Sequence, residues 1–177
     1  MINLLKIEWL KIKNYTAFIV MTLFFIVGVF ALNYIVFTVN KNIVNNVPGA
    51  GLVSFSPYDF ANTWQSTSYA TGFILLLPAL LLLMLFTNEY TFKTHRQNII
   101  DGLSRQQFIS VKIMMALIFA MAATLLVIIS ALIFGFGSGT AFSLNGFIFV
   151  GYFFLKALSY NLIAILFSVL VKRTGFA

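Results

Sequence analysis

The sequence predicts an all-α, polytopic membrane protein: an N-terminal amphipathic interfacial helix followed by four transmembrane helices. Of the 177 residues, 61% are hydrophobic and only 8% are charged, whereas soluble domains carry about 25% charged residues. A soluble fold of this length could not hide so much apolar surface, because its own surface is too large relative to its core. The apolar residues also gather into runs of about 20 residues, which is the length that crosses a bilayer.

Residues 1–14 form the first element and have a helical pattern. Ile2, Leu5, Trp9 and Ile12 recur on one face, and lysines occupy other positions. Because charges occur every few residues and no small-residue cleavage site follows, we expect that residues 1–14 are not a cleavable signal peptide. We expect this helix to lie along the cytoplasmic interface, with Trp9 at the depth of the lipid headgroups.

Four apolar runs follow, and they predict the spans. Backbone groups in lipid must be paired within their own segment, so these spans are helices. Pro78 lacks an amide hydrogen and predicts a kink in the second span. A line of small residues in the third span predicts close helix packing within the chain, with a dimer seam as the alternative. It consists of Ala116, Ala120 and Thr124. The spans cover about residues 15–37, 67–87, 113–135 and 146–171.

The basic residues predict the orientation of these spans. Cytoplasmic segments of membrane proteins retain an excess of Lys and Arg. One side of the predicted bilayer carries almost all of them here, while the opposite side has only Lys41, in an external loop over 38–66 whose prolines and glycines predict turns. Both ends shown are therefore predicted to be cytoplasmic. The basic residues on that side are Lys6, Lys11, Lys13, Lys93, Arg96, Arg105, Lys112, Lys172 and Arg173.

The segment 88–112 connects the second and third spans and has internal order. Glu89 and Lys93 are four residues apart, which favours a helix leaving the membrane. Gly102 is a helix stop. Ser104 and Gln107 have the spacing of a capping box, which begins a new helix. The sequence therefore predicts helix, break and capped helix rather than a floppy linker.

This pattern resembles the permease subunit of ABC-2-type ATP-binding-cassette exporters. The resemblance covers the whole chain, as one transmembrane domain over 1–177, and is most specific between Glu89 and Lys112. The family normally has six spans per subunit and this chain has four, so two further spans are expected after Ala177; the alternative is a genuine four-span half.

The resemblance implies a role for each cytoplasmic segment. Residues 1–14 would be the elbow helix, Glu89 would lie at the cytoplasmic mouth of the second span, and the segment 88–112 would carry the coupling helix that docks on a separate ATP-binding-cassette ATPase. That partner would bind ATP and Mg, and two permease subunits would form a homodimer or heterodimer in a bacterial inner membrane. The residues implied in ATPase coupling are Thr94, Arg96, Asn98, Gly102, Ser104 and Arg105. Arg96 and Arg105 could instead serve topology alone.

The catalytic chemistry of an enzyme is missing from the sequence. No Gly-rich P-loop is present to cradle phosphates, there is no cysteine, and a single histidine has no second histidine with which to share a metal ion. We therefore expect no metal site, no cofactor bound by this chain and no enzymatic activity. The net charge of +7 is explained by topology, so nucleic acid is not an expected partner.

Lys156 is the one basic residue inside a predicted span. A charge at that depth is costly and usually faces protein or water. With Tyr160 it could line a path that attracts an anionic substrate group; contact with a partner, or snorkelling to the interface, is the alternative. The nature of the substrate stays open. So do two other functions: a secondary carrier, although the predicted spans lack an acidic residue, and a non-transporting scaffold or sensor subunit.

Overall fold

A computed structural model describes residues 2–46, 58–92, 94 and 104–171 of the chain. In these ranges the protein is helical and contains no β-strand. The prediction of an all-α, polytopic membrane protein is confirmed. The helices are α1 (Ile2–Lys13), α2 (Thr16–Asn46), α3 (Phe60–Gly72), α4 (Leu76–Thr91), α5 (Arg105–Gly137) and α6 (Ile148–Val171).

Three of the helices in the described ranges are long and apolar enough to cross a membrane by themselves. They are Thr16–Asn42 within α2, Gln106–Gly137 within α5 and Ile148–Leu170 within α6. Helices α3 and α4 form a bent pair that meets the same criteria together. The described residues thus contain three candidate spans, or four if the bent pair is one span.

The interruption between α3 and α4 lies before Pro78 rather than at it. Residues 73–75 separate the two helices, and Pro78 is the third residue of α4. A proline in the first helical turn loses no hydrogen bond, because the amides there have no partner within the helix. Its ring would clash with the carbonyl four residues earlier, that of Ile74, if the helix ran through. The predicted interruption of this span is therefore present one turn earlier than the proline itself.

Helices α2 and α5 are longer than the apolar runs that predicted them, whereas α6 is not. Helix α2 continues to Asn46 and α3 begins at Phe60, so both ends of the segment 38–66, which we assigned to an external loop with turns, are helical. The prolines and glycines at positions 48–57 lie outside the described residues. Polar residues can prolong a helix beyond an apolar run, because helical backbone hydrogen bonds do not require apolar side chains.

The chain divides into two compact units. The first comprises residues 1–24, 75–122 and 156–177. Its core contains Ile12, Leu82, Phe86, Met115 and Ala116. The side-chain amide of Asn161 donates a hydrogen bond to the carbonyl oxygen of Ala116 at 3.0 Å. Ala116 and Ala120, two members of the predicted line of small residues, are fully buried, so in this unit the line serves packing within the chain.

The second unit comprises residues 25–74 and 123–155. Phe60 and Trp64 of α3 are buried there against Ala131 and Val150. The indole of Trp64 donates a hydrogen bond to the carbonyl oxygen of Ser143 at 2.8 Å. These contacts fix α3 to the connection that follows α5.

A buried polar network holds α2 and α3 together inside the second unit. The side-chain amide of Asn33 donates to the carbonyl oxygen of Val29 at 2.8 Å and to Oγ1 of Thr71 at 3.2 Å. The hydroxyl of Tyr58 donates to the carbonyl oxygen of Asn33 at 3.2 Å. Burial raises the pKa of Tyr58 to about 12, so this hydroxyl stays protonated and keeps its role as donor at neutral pH.

Candidate functional site

A buried ion cluster lies in the first unit, where three helices meet. The ammonium nitrogen of Lys112, in the second turn of α5, is 2.8 Å from Oε2 of Glu8 in α1 and 2.6 Å from Oε1 of Glu89 in α4. Lys11 also pairs with Glu8, at 3.1 Å. We refer to Glu8, Glu89 and Lys112 as the ion cluster.

The members of the ion cluster are shielded from solvent. The side chains of Lys112, Glu8 and Glu89 are 6%, 9% and 12% exposed. The ammonium of Lys112 also lies 4.5 Å from the centroid of the Phe86 ring and 5.1 Å from that of Phe108, and aromatic faces attract cations. Buried charges are tolerated where they are paired and hydrogen-bonded. Lys112 meets both conditions, because it forms ion pairs and hydrogen bonds with Glu8 and Glu89.

The ionisation of Glu8 depends on its basic neighbours. Burial by itself raises the pKa of this carboxyl group, but the charges and hydrogen bonds of Lys112, and then of Lys11, hold the pKa below its ordinary value. Glu8 is therefore ionised at neutral pH, and its ion pairs are present over the physiological range.

A cleft adjoins the ion cluster between α1 and the end of α4. It has a volume of about 210 Å³, and its wall includes Glu8, Glu89, Tyr15, Asn88 and Thr94. The amide of Asn88 donates to the hydroxyl oxygen of Tyr15 at 2.7 Å, and the hydroxyl of Thr94 donates to the carbonyl oxygen of Glu89 at 3.3 Å. Two predicted functional residues, Glu89 and Thr94, thus share one cleft.

The predicted capping box is present at the start of α5. The backbone amide of Gln107 donates to Oγ of Ser104 at 3.2 Å, and the backbone amide of Ser104 donates to Oε1 of Gln107 at 3.1 Å. Helix α5 accordingly begins at Arg105. Because α5 continues to Gly137, the cap starts a helix that is long and apolar enough to cross a membrane.

The other predicted coupling residues have no described position. Arg96, Asn98 and Gly102 lie outside the described residues, and so does the side chain of Arg105. Their role in ATPase coupling stays a prediction.

Lys156 and Tyr160 lie together on an exposed face of α6. Both side chains are exposed, and the ammonium of Lys156 is 5.9 Å from the centroid of the Tyr160 ring. Tyr152, one turn earlier, is also exposed. Asn161 is buried instead, because five residues beyond Lys156 along a helix of 3.6 residues per turn lead to a different face.

Sequence reasoning did not connect Glu8 with Lys112, since 104 positions separate them. A weak signal was available for each residue. Glu8 is the one acidic residue in a segment whose other charges are lysines, and Lys112 stands between Val111 and Ile113 at the edge of an apolar run. A charge beside apolar residues needs a partner, but nothing in the sequence identifies which acid supplies it.

Comparison with known protein families identifies a family for this chain of apolar helices and a charged connecting segment. The sequence matches the family described as ABC-2 family transporter protein over residues 4–176. No curated protein and no solved structure matched the chain. The match covers nearly the whole chain and agrees with the resemblance seen in the segment 88–112. The chain therefore belongs to the ABC-2 family of transporter proteins, in which it is a membrane-spanning permease subunit.

Proposed function

We propose that this permease subunit works in an ATP-driven exporter and receives the ATPase stroke through the segment 88–112. The observation that carries the proposal is the continuity of the helices on both sides of this segment. Helix α4 extends into it as far as Thr91, and α5 starts within it at Arg105 and continues through the membrane. A push on the segment would therefore move two spans directly.

ATP hydrolysis would occur on a separate ATP-binding-cassette chain that carries ATP and Mg. The 177 residues contain no P-loop with which to bind the phosphates. Two permease subunits, identical or different, would line the path, and two ATPases would bind below them. The partner would contact the coupling residues Thr94, Arg96, Asn98, Gly102, Ser104 and Arg105.

Co-purification with a separately encoded ATP-binding-cassette ATPase tests this assignment. In the double variant Arg96→Glu plus Arg105→Glu, two charges that would face the partner are reversed, and we expect the yield of bound ATPase to fall severalfold. Lys41→Glu, a charge reversal on the predicted opposite side, is the control and should bind as wild type does. The coupling assignment fails if the double variant retains the ATPase as well as the control.

The orientation of the subunit in a bacterial inner membrane belongs to the same proposal. The bias of Lys and Arg favours cytoplasmic ends. The chain has no cysteine, so single cysteines report sidedness directly. With cytoplasmic ends, the connection between α5 and α6 would be external and the start of α5 cytoplasmic. We expect Ala141→Cys, in that connection, to react with an impermeant maleimide in intact cells and Gln106→Cys, at the start of α5, to react only after permeabilisation. The reverse pattern would refute the orientation.

Lys156 and Tyr160 are proposed to line the path and to attract an anionic group of the substrate. The support is a cation on an exposed face of an otherwise uncharged helix, where a lone charge facing lipid is costly. Once a substrate is known, Lys156→Gln should reduce transport and Lys156→Arg should largely preserve it. Equal transport by both variants would exclude this role.

A further inference from the structure

We propose that Lys112 is a positioning residue that makes α1 move together with α4 and α5 when the segment 88–112 is pushed. The inference rests on the proposed function and concerns how the stroke spreads within this subunit. Its basis is the geometry of the ion cluster, in which one ammonium group holds a carboxylate from each of two other helices at 2.8 and 2.6 Å.

The ion pair between Lys112 and Glu89 joins the two ends of the connecting segment. The two residues are 23 positions apart, one in the last turns of α4 and the other in the second turn of α5. Their direct contact holds the end of one span to the start of the next. A force applied between them therefore cannot separate α4 from α5 without breaking a buried ion pair.

The pair of Lys112 with Glu8 extends this connection to α1. Helix α1 also contacts the core of this unit through Ile12, which is 3% exposed and packs with Phe86 and Met115. Apolar contacts are non-directional and allow sliding. Charge-assisted hydrogen bonds depend on distance and angle, so the ion pair fixes the register that apolar packing leaves free.

Lys11 provides a matched comparison for Lys112. It pairs with the same carboxylate, on its other oxygen, but its side chain is 39% exposed and it lies on α1 itself, three residues from Glu8. Its contact connects no second helix. A variant of Lys11 thus removes a charge beside Glu8 without releasing α1 from α5.

Distance measurements between spin labels test the inference. Leu10 in α1 and Ile109 in α5 are 59% and 56% exposed, and the chain has no native cysteine, so Leu10→Cys and Ile109→Cys can carry the labels. The complex with the co-purified ATPase is reconstituted in nanodiscs and measured without nucleotide and after trapping with ADP and vanadate. With Lys112 intact, we expect the same distance distribution in both states.

A variant that removes the whole ion cluster separates positioning from folding. Glu8→Met, Glu89→Met and Lys112→Met together leave no unpaired buried charge, and replacing a complete buried ion cluster by hydrophobic residues of similar volume is often tolerated. We expect this triple variant to fold and bind the ATPase, but its label distance should shift on trapping. Lys112→Arg and Lys11→Met should behave as the intact protein does.

The outcomes distinguish the two proposals. If wild type fails to recover or trap an ATPase, the proposed function fails, and the positioning role fails with it. If wild type traps the ATPase but the triple variant keeps an unchanged label distance, only the positioning role of Lys112 is overturned. A shift already present in wild type would also overturn it, because α1 would then move separately from α5 despite the ion cluster.

Discussion

Replacing Lys112 with Met should strongly destabilise the protein at neutral pH, because it leaves two buried carboxylates facing each other. Removing one partner from a buried ion pair costs about 3–5 kcal/mol. Glu8 and Glu89, at 9% and 12% exposure, can relieve their repulsion by sharing one proton. Protonating a carboxyl group of ordinary pKa costs about 3.7 kcal/mol at pH 7, so we expect a loss of about 4 kcal/mol in the free energy of unfolding.

The same reasoning gives the pH dependence of this loss. At pH 5, protonating one of the two carboxyl groups costs only about 1 kcal/mol, so Lys112→Met is destabilised less than at pH 7. In the wild type the pKa of Glu8 is lowered, so the stability it contributes is present above the ordinary carboxyl pKa and is lost only as the pH falls through the lowered value. The wild type therefore keeps the ion pairs of Glu8 at pH 5, and the difference between the two proteins should shrink to about 1 kcal/mol.

Unfolding in mild detergent by titration with sodium dodecyl sulfate, followed by tryptophan fluorescence, measures both values. Lys11→Met is the control. Its ammonium is 39% exposed, and exposed ion pairs contribute about 0–1 kcal/mol. If Lys112→Met costs no more than Lys11→Met at pH 7, or if its cost is unchanged at pH 5, the ion cluster does not stabilise the fold as the structure indicates.

Three smaller effects can be measured in the same unfolding assay. Asn33→Ala removes the hydrogen bonds of a fully buried side chain and should cost about 1–3 kcal/mol; no change would contradict the network. Gly146→Ala would place a side-chain carbon 2.9 Å from the carbonyl oxygen of Ala61, at a residue whose φ is +84°. It should destabilise the protein more than Gly139→Ala, where φ is +76° but nothing lies within 4 Å of the added carbon. Equal losses of stability would show that the close contact is harmless. Ser104→Ala removes one half of the capping box and should cost about 1 kcal/mol, with faster amide hydrogen exchange in the first turn of α5; unchanged exchange would refute the cap.

Local patterns explain why much of the fold was predictable. An apolar run such as residues 113–135 predicts a membrane helix by length and composition alone, because backbone groups in lipid can form hydrogen bonds only within their own segment. The start of α5 was equally local: Ser104 and Gln107 are three positions apart, and a capping box needs nothing else. Where helices extend beyond the apolar run, as α2 does to Asn46, composition ceases to mark the boundary.

The candidate site was less predictable because its residues meet only in three dimensions. The sequence placed Glu89 and Thr94 in the cytoplasmic segment, and the structure describes both of them beside one cleft. From the sequence, Lys112 was assigned only a topological role, and Glu8 was assigned no role. Any of the four acidic residues could in principle have paired with this lysine.

The sequence by itself determined that the chain folds in a bilayer, that it is helical and that a charged segment connects two spans. These features follow from hydropathy, helix length and cap spacing, which act over a few turns of chain. Only the tertiary structure decided which charges are buried and paired. Glu8 and Lys112 are 104 residues apart, and they meet because apolar packing brings α1 against α4 and α5. Burial then makes their pairing obligatory, since an unpaired charge in that environment would cost several kcal/mol.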